Sequence, residues 1–225
     1  MEKTNKKIIA IFDFCDTLVS GQTVSMFLKF LNKKEKNLFK KIYIRIKNRF
    51  SILKKDNSLR YKNYLLGSFK GEGLEYMNEV AEEFVSDVLL KSENKKIIES
   101  LKWHQKNGHD VVIVSNAFDI YLNKYARIYD VKCAVSTKLK FNSQKRFCGM
   151  IDGEECSGIN KIKFIKEVID LDGYNMQESF AYSDSVQDKP ILSLVGNVFI
   201  IRKDKNRPEW IEKNWKLIDV SDEVV

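Results

Sequence analysis

IIAIFDFCDTLV, residues 8–19, decides how the rest of the chain is read. Its five apolar residues, Ile8 to Phe12, have the composition of a strand buried on both faces of a parallel sheet. That strand delivers Asp13 at its end, and Thr17 follows four residues later. Cys15 and Asp16 stand between them.

Similar runs rich in Ile and Val recur at 111–114 (VVIV), 131–135 (VKCAV), 180–182 (FAY) and 198–201 (VFII). Helical patterns lie between them, at 95–107, 118–128, 160–171 and 187–195. Alternating strand and helix predict an α/β fold with a Rossmann-like, doubly wound parallel sheet. Residues 24–92 break the rhythm, with several helix-length patterns and no buried strand. The expected organisation is therefore a core domain, 1–20 and 93–225, with a helical cap domain, 21–92, inserted after the first strand. The polar stretch 136–156 reads as a hairpin.

The 225 residues suffice for one core with an inserted unit. A net charge of +8 would suit nucleic acid, an anionic membrane surface or an anionic substrate. The chain carries no RNA-binding signature, zinc spacing or arginine-rich tail, and a general richness in Lys, Asn and Ile accounts for the charge, so nucleic acid is not an expected partner. The cysteines Cys15, Cys133, Cys148 and Cys156 form no CxxC pair, which favours reduced thiols in a cytoplasmic protein. No apolar run approaches bilayer length, so no stable membrane insertion is expected.

Chemistry-bearing residues gather at predicted strand ends, where open parallel sheets bind ligands. Asp13 and Thr17 end the first strand, Ser115 ends the second, Lys161 opens a helix, and Asp184 and Asp188 follow the fourth. Taken singly each has a plain structural reading, as a helix cap, a solvated lysine or a turn aspartate. Together they fit phosphoryl transfer. A carboxylate attacking a phosphate dianion meets charge repulsion, which a divalent cation held by acidic side chains relieves, while a lysine, a hydroxyl and backbone N–H groups hold the remaining oxygens.

Four motifs in order, FDFCDTLV, IVSNAFD, GINKIKFI and AYSDSVQDKPILSLVG, resemble the haloacid dehalogenase superfamily. The likeness is to its phosphoserine-phosphatase-like branch, which has a helical cap between the first two motifs. The resemblance implies Asp13 as nucleophile, forming an aspartyl-phosphate, and as a Mg²⁺ ligand together with the Cys15 backbone carbonyl. It implies Asp184 as direct metal ligand and Asp188 as its support, Thr17 orienting the loop, and Ser115, the Asn116 amide and Lys161 on the phosphoryl oxygens. The cap stretch NSLRYKNYLL is similar to the part of phosphoserine phosphatases that carries a substrate-binding arginine, here Arg60.

This chain departs from the branch at two positions. Cys15 replaces the aspartate that protonates the leaving alkoxide, a group worth about 10²–10⁴ in rate. The proton source is then Asp16, one residue away, or the cap or substrate, or the site binds without turning over. A thiol nucleophile at Cys15 is disfavoured by its apolar context. Gln22 replaces a glutamate that reads the substrate amino group, which favours hydroxyl or amide partners over free phosphoserine.

The basic, aromatic stretch 29–55 resembles a membrane-surface helix but reads more readily as a cap helix with its apolar face on its neighbours and its lysines in water, and its positive field could recruit a large anion such as a nucleotide-sugar-linked phosphate. The FDFC–acidic–Thr spelling is similar to phosphatase-like proteins of bacterial capsule and surface-polysaccharide gene clusters. The expected function is a Mg²⁺-dependent phosphatase acting on a small phosphorylated metabolite or sugar-linked intermediate. A catalytically weak phospho-ligand binding protein and a membrane-surface lipid phosphatase are the alternatives.

Overall fold

The computed structural model describes residues 6–35, 44, 59–202 and 209–221, the side chains of 59–61 excepted. After β1 (Ile9–Phe12) come the helices α1 (Thr23–Lys34), α2 (Leu59–Leu66) and α3 (Leu74–Phe84), the last running into a π-helical turn, Val85–Leu89. Then follow α4 (Lys95–Lys106), β2 (Asp110–Phe118), α5 (Asp119–Ile128) and β3 (Cys133–Thr137). A hairpin of β4 (Leu139–Phe141) and β5 (Phe147–Ile151) leads to α6 (Asn160–Val168), β6 (Phe180–Ser183), α7 (Lys189–Leu192), β7 (Asn197–Arg202) and β8 (Lys216–Asp219).

The main sheet has the order β3-β2-β1-β6-β7-β8, and all its pairings are parallel. Period-2 alternation assigns each strand residue to a face. Ile9 and Ile11 of β1 pack with Val112 and Val114 of β2 beneath α6 and α7. Ala10 and Phe12 pack with Val111 and Ile113 on the opposite face, against α4, α5 and the helices between β1 and β2. Both faces are therefore covered, which is why these strands read as continuous apolar runs. On the second face Phe12, Tyr182 and Phe199 form a stack across three strands, with centroids 4.3 and 4.8 Å apart. Helix α4 contributes Ile97, Ile98, Leu101 and His104, spaced to make one buried stripe.

Strand order reverses between β1 and β6, so the crevice at their C-terminal ends is the topological switch point. Between β1 and β2 the described residues form helices joined by turns and loops, with no strand among them. The hairpin is tied to this helical stretch by backbone bonds Gly71 N–H to Phe147 O (2.8 Å) and Leu74 N–H to Lys145 O (2.9 Å). Gly149 allows the approach: its φ is +79°, and a Cβ there would lie 3.0 Å from Gly67 Cα.

The α/β reading of the sequence stands, with three differences in extent. Strand β2 runs through Ser115 to Phe118, with a register shift after Val114, so Ser115 lies within the strand rather than at its end. The helix expected over 160–171 ends at Val168, and that over 187–195 is a 3₁₀ turn followed by the short α7. Strand β8 was not expected from sequence. It is an edge strand whose residues Lys216, Leu217 and Asp219 are exposed, so it lacks the apolar run that marks its neighbours.

His104 is fully buried, with Nε2 2.9 Å from Tyr182 Oη and Nδ1 2.8 Å from His109 Nδ1. Burial, and then the neighbouring His109, push its pKa down to about 4. The unfolded chain binds the proton first as pH falls, so the stability held by neutral His104 is present above pH 6.5 and is lost towards pH 4. Between pH 7 and 4.5 the unfolding free energy of wild type, measured against His104→Gln by denaturant titration, is expected to fall by roughly 2 kcal/mol.

Candidate active site

Asp13 is the first residue past β1, and its backbone N–H donates to the Tyr182 carbonyl of β6 at 2.9 Å. That bond fixes the loop across the switch point. Its carboxylate is 8% exposed and lies 2.7 Å from Lys161 Nζ. Lys161, from the first turn of α6, is 4% exposed and also meets Asp188 at 2.7 Å. Asp188 in turn accepts from Ser183 Oγ at 2.6 Å. One buried ammonium thus bridges two buried carboxylates.

Burial pushes the Asp13 pKa up, Lys161 opposes and Asp188 adds, leaving it at about 6. Burial acts to lower that of Lys161, but Asp13 and Asp188 outweigh it and hold the group above its ordinary range. Asp184, half-buried at the end of β6, is pushed up to about 7 by burial, then by Asp13, Asp16 and Asp188. Thr17 Oγ1 lies 3.5 Å from the Asp184 carboxylate. Asp13, Asp184 and Asp188 line one cavity with a single ammonium, that of Lys161, among them, which leaves negative charge that a cation would relieve.

Among the described residues no three His, Cys, Asp or Glu side chains form a metal cluster. Mg²⁺ does not require one, since it keeps several waters and binds through one or two carboxylates plus substrate phosphate. Asp13 and Asp184, oxygen donors lining one cavity, fit that ion. Asp188 is already committed to Lys161 and Ser183.

These groups open into a cavity of about 410 Å³ lined by Asp13, Cys15, Ser115, Asn116, Lys161, Asp184 and Asp188, and by Gln22 from the entrance to α1. The sequence-derived set is therefore brought together in large part. Cys15 is half-buried, with Sγ 3.0 Å from Thr23 Oγ1, whose hydroxyl lies 3.0 Å from Tyr121 Oη. Burial, and then the charge of Asp13, push the thiol up to about 11, which keeps it protonated and argues against a thiolate nucleophile.

Asp16 does not line the cavity. Its carboxylate accepts from Gly21 N–H and from Gln22 Nε2. Arg60 is on α2, but its side chain lies outside the described residues, as do residues 36–43 and 45–55 of the basic stretch.

Two charged residues of the cavity were not anticipated. Lys62 of α2 pairs with Glu155, from the loop before α6, and lies 3.2 Å from Asn116 Oδ1. Asn116 also accepts from Thr137 Oγ1 at 2.7 Å. Lys62 and Glu155 are 93 residues apart in sequence, so no local pattern joins them. Val24, Leu28 and Leu65 give the same cavity an apolar side.

Residues 10–193 match the family of haloacid dehalogenase-like hydrolases. The chain is 26% identical over 168 residues to the inhibition of morphological differentiation protein of Streptomyces azureus, covering 73% of this chain and 59% of that one. It is 25% identical to a phosphoserine phosphatase of Methanocaldococcus jannaschii, over 91% of this chain and 96% of the relative. A crystal structure of a protein of unknown function from Bordetella pertussis Tohama I shares its fold, with a TM-score of 0.80 at 20% identity over 96% and 100% of the two chains. The chain belongs to the haloacid dehalogenase-like hydrolase family, in its phosphoserine-phosphatase-like branch, and is an enzyme of that hydrolase class.

Proposed function

We propose that this phosphatase-type hydrolase cleaves phosphomonoesters in two steps, with Asp13 as nucleophile. The observation that carries the reading is the Asp13–Lys161–Asp188 bridge beside Asp184 at the mouth of the switch point. A carboxylate oxygen of Asp13 attacks phosphorus, the ester P–O bond breaks, and the alcohol leaves from an aspartyl-phosphate that water then hydrolyses. Lys161 stands beside the attacking carboxylate and offers its positive charge to the phosphoryl oxygens. Ser115 and the Asn116 amide would hold those oxygens from β2. Mg²⁺, held by Asp13, Asp184 and the Cys15 carbonyl, would supply charge neutralisation on the phosphoryl group.

Residues 21–92 serve in this reading as a cap that encloses the leaving group, Lys62 and Leu65 reaching the cavity from α2. Since Asp16 faces its own loop, the leaving-group proton comes from the cap side or from the substrate. A small phosphorylated metabolite or a sugar-linked phosphate fits the mixed lining, and the FDFC–acidic–Thr spelling supports a setting in surface-polysaccharide synthesis. Four free cysteines support a cytoplasmic location. No helix among the described residues is long and apolar enough to cross a membrane.

Phosphate release from a panel of phosphorylated amino alcohols, sugars and nucleotide-sugar derivatives tests the reading. Release in Mg²⁺ that stops in excess EDTA is expected. Ligand-dependent thermal stabilisation with no release over hours would replace the enzyme by a phospho-ligand binding protein.

A further inference from the structure

Asn94 stands at the N-cap position of α4, where an asparagine side chain ordinarily accepts a hydrogen bond from the first turn of its helix. Here it makes no such bond. The side chain is fully buried and turns back to the loop that carries Asp13, where Nδ2 donates to the Thr17 carbonyl, 77 residues earlier in the chain. A carbonyl only accepts, so the orientation of the amide is fixed, and Oδ1 takes the hydroxyl of Ser20 at 2.8 Å. The Asn94 backbone N–H donates to Leu18 O at 2.9 Å, and Ser20 N–H donates to Ser92 O at 2.6 Å. The neighbouring Glu93 carboxylate accepts from the hydroxyls of Tyr125 and Tyr129, which ties this segment to α5. Ser20 and Asn94 thus join the two ends of residues 21–92 to each other and to the Asp13 loop.

That loop has two held ends. The Asp13 N–H bond to the Tyr182 carbonyl holds the first, and Asn94 holds the second at Thr17, whose Oγ1 lies 3.5 Å from Asp184. We propose that Asn94 is a positioning residue for the hydrolase reaction, keeping Asp13 aligned with Lys161 and Asp184 through its bond to the Thr17 carbonyl. The proposal rests on the phosphomonoesterase reading. A residue that served α4 alone would cap it. Asn94 leaves the first turn of its own helix without that bond and satisfies the loop instead, where small displacements of the attacking group are costly in rate.

Asn94→Ser and Asn94→Ala separate the two roles. Serine is a favoured cap and alanine is not, while neither side chain is long enough to reach the Thr17 carbonyl. The probe is p-nitrophenyl phosphate in Mg²⁺, whose leaving group needs no proton, so kcat does not depend on the acid. In both variants kcat is expected to fall about tenfold, the worth of one hydrogen bond, with KM within about twofold of wild type. The two losses should be equal although the serine variant melts higher. Ser20→Ala, which removes the bond that orients the Asn94 amide, is expected to lower kcat about threefold. A wild-type kcat in folded Asn94→Ser, or losses that follow the melting temperatures of the two variants, would make Asn94 purely structural and overturn the proposal. If neither Asn94 variant folds, an unchanged kcat in Ser20→Ala overturns it. No release by wild type from p-nitrophenyl phosphate or from the ester panel would overturn the phosphomonoesterase reading and the proposal with it.

Discussion

Asp13→Asn is expected to lower phosphate release by about 10⁴-fold or more while leaving the protein folded. The amide matches the carboxylate in shape but is a far weaker nucleophile, so the aspartyl-phosphate cannot form. The fold should survive, because Lys161 keeps Asp188 and the Asp13 backbone bond to Tyr182 involves no side chain. Thermal denaturation within a few degrees of wild type, combined with loss of turnover, is the expected pair of results. Turnover near the wild-type rate in a folded Asp13→Asn would remove the nucleophile assignment, whatever the substrate.

Lys161→Ala should damage both activity and stability. Removing one member of a buried ionic group leaves the others uncompensated, at a cost of about 3–5 kcal/mol. In a chain of this length that corresponds to a melting temperature lower by roughly 10 °C. Activity should fall about 10²–10³-fold, the usual loss when a preorganised charge is removed from a developing oxyanion. Without the ammonium, Asp13 loses the charge that opposes the effect of burial, and its protonated form becomes still more favoured. In EDTA the destabilisation should therefore be smaller at pH 5 than at pH 8, as Asp13 takes up a proton. A loss independent of pH would indicate that Lys161 acts through packing of its alkyl chain.

How far the sequence disclosed this arrangement follows from the range over which each signal acts. The central strands announced themselves because both their faces are buried, and Asp13, Lys161, Asp184 and Asp188 because each is a polar residue set at a fixed offset from such an element. Strand β8 escaped notice because three of its four residues face outward. Lys62 and Glu155 escaped because a pair separated by 93 residues leaves no local trace. The carboxylate of Asp16 could not be oriented without its backbone angle, since adjacent residues in a tight loop diverge according to φ rather than spacing. In the cap stretch NSLRYKNYLL, Lys62 and Leu65 are the side chains that line the cavity, two and five residues beyond Arg60.

The central place of β1 has a consequence for how the chain is made. Phe12 aligns with Tyr182, 170 positions later, by the register of β1 and β6. At about 5–20 residues per second, a ribosome needs roughly 10–30 s to synthesise that interval. Throughout it the flank of β1 that will receive β6 has nothing to bind, and an unpaired apolar strand edge is a template for misassociation. The pairing with β2 and the helices made before it can shelter only one side. The nascent chain thus carries one unpaired strand edge during the whole stretch of translation between its second strand and its sixth.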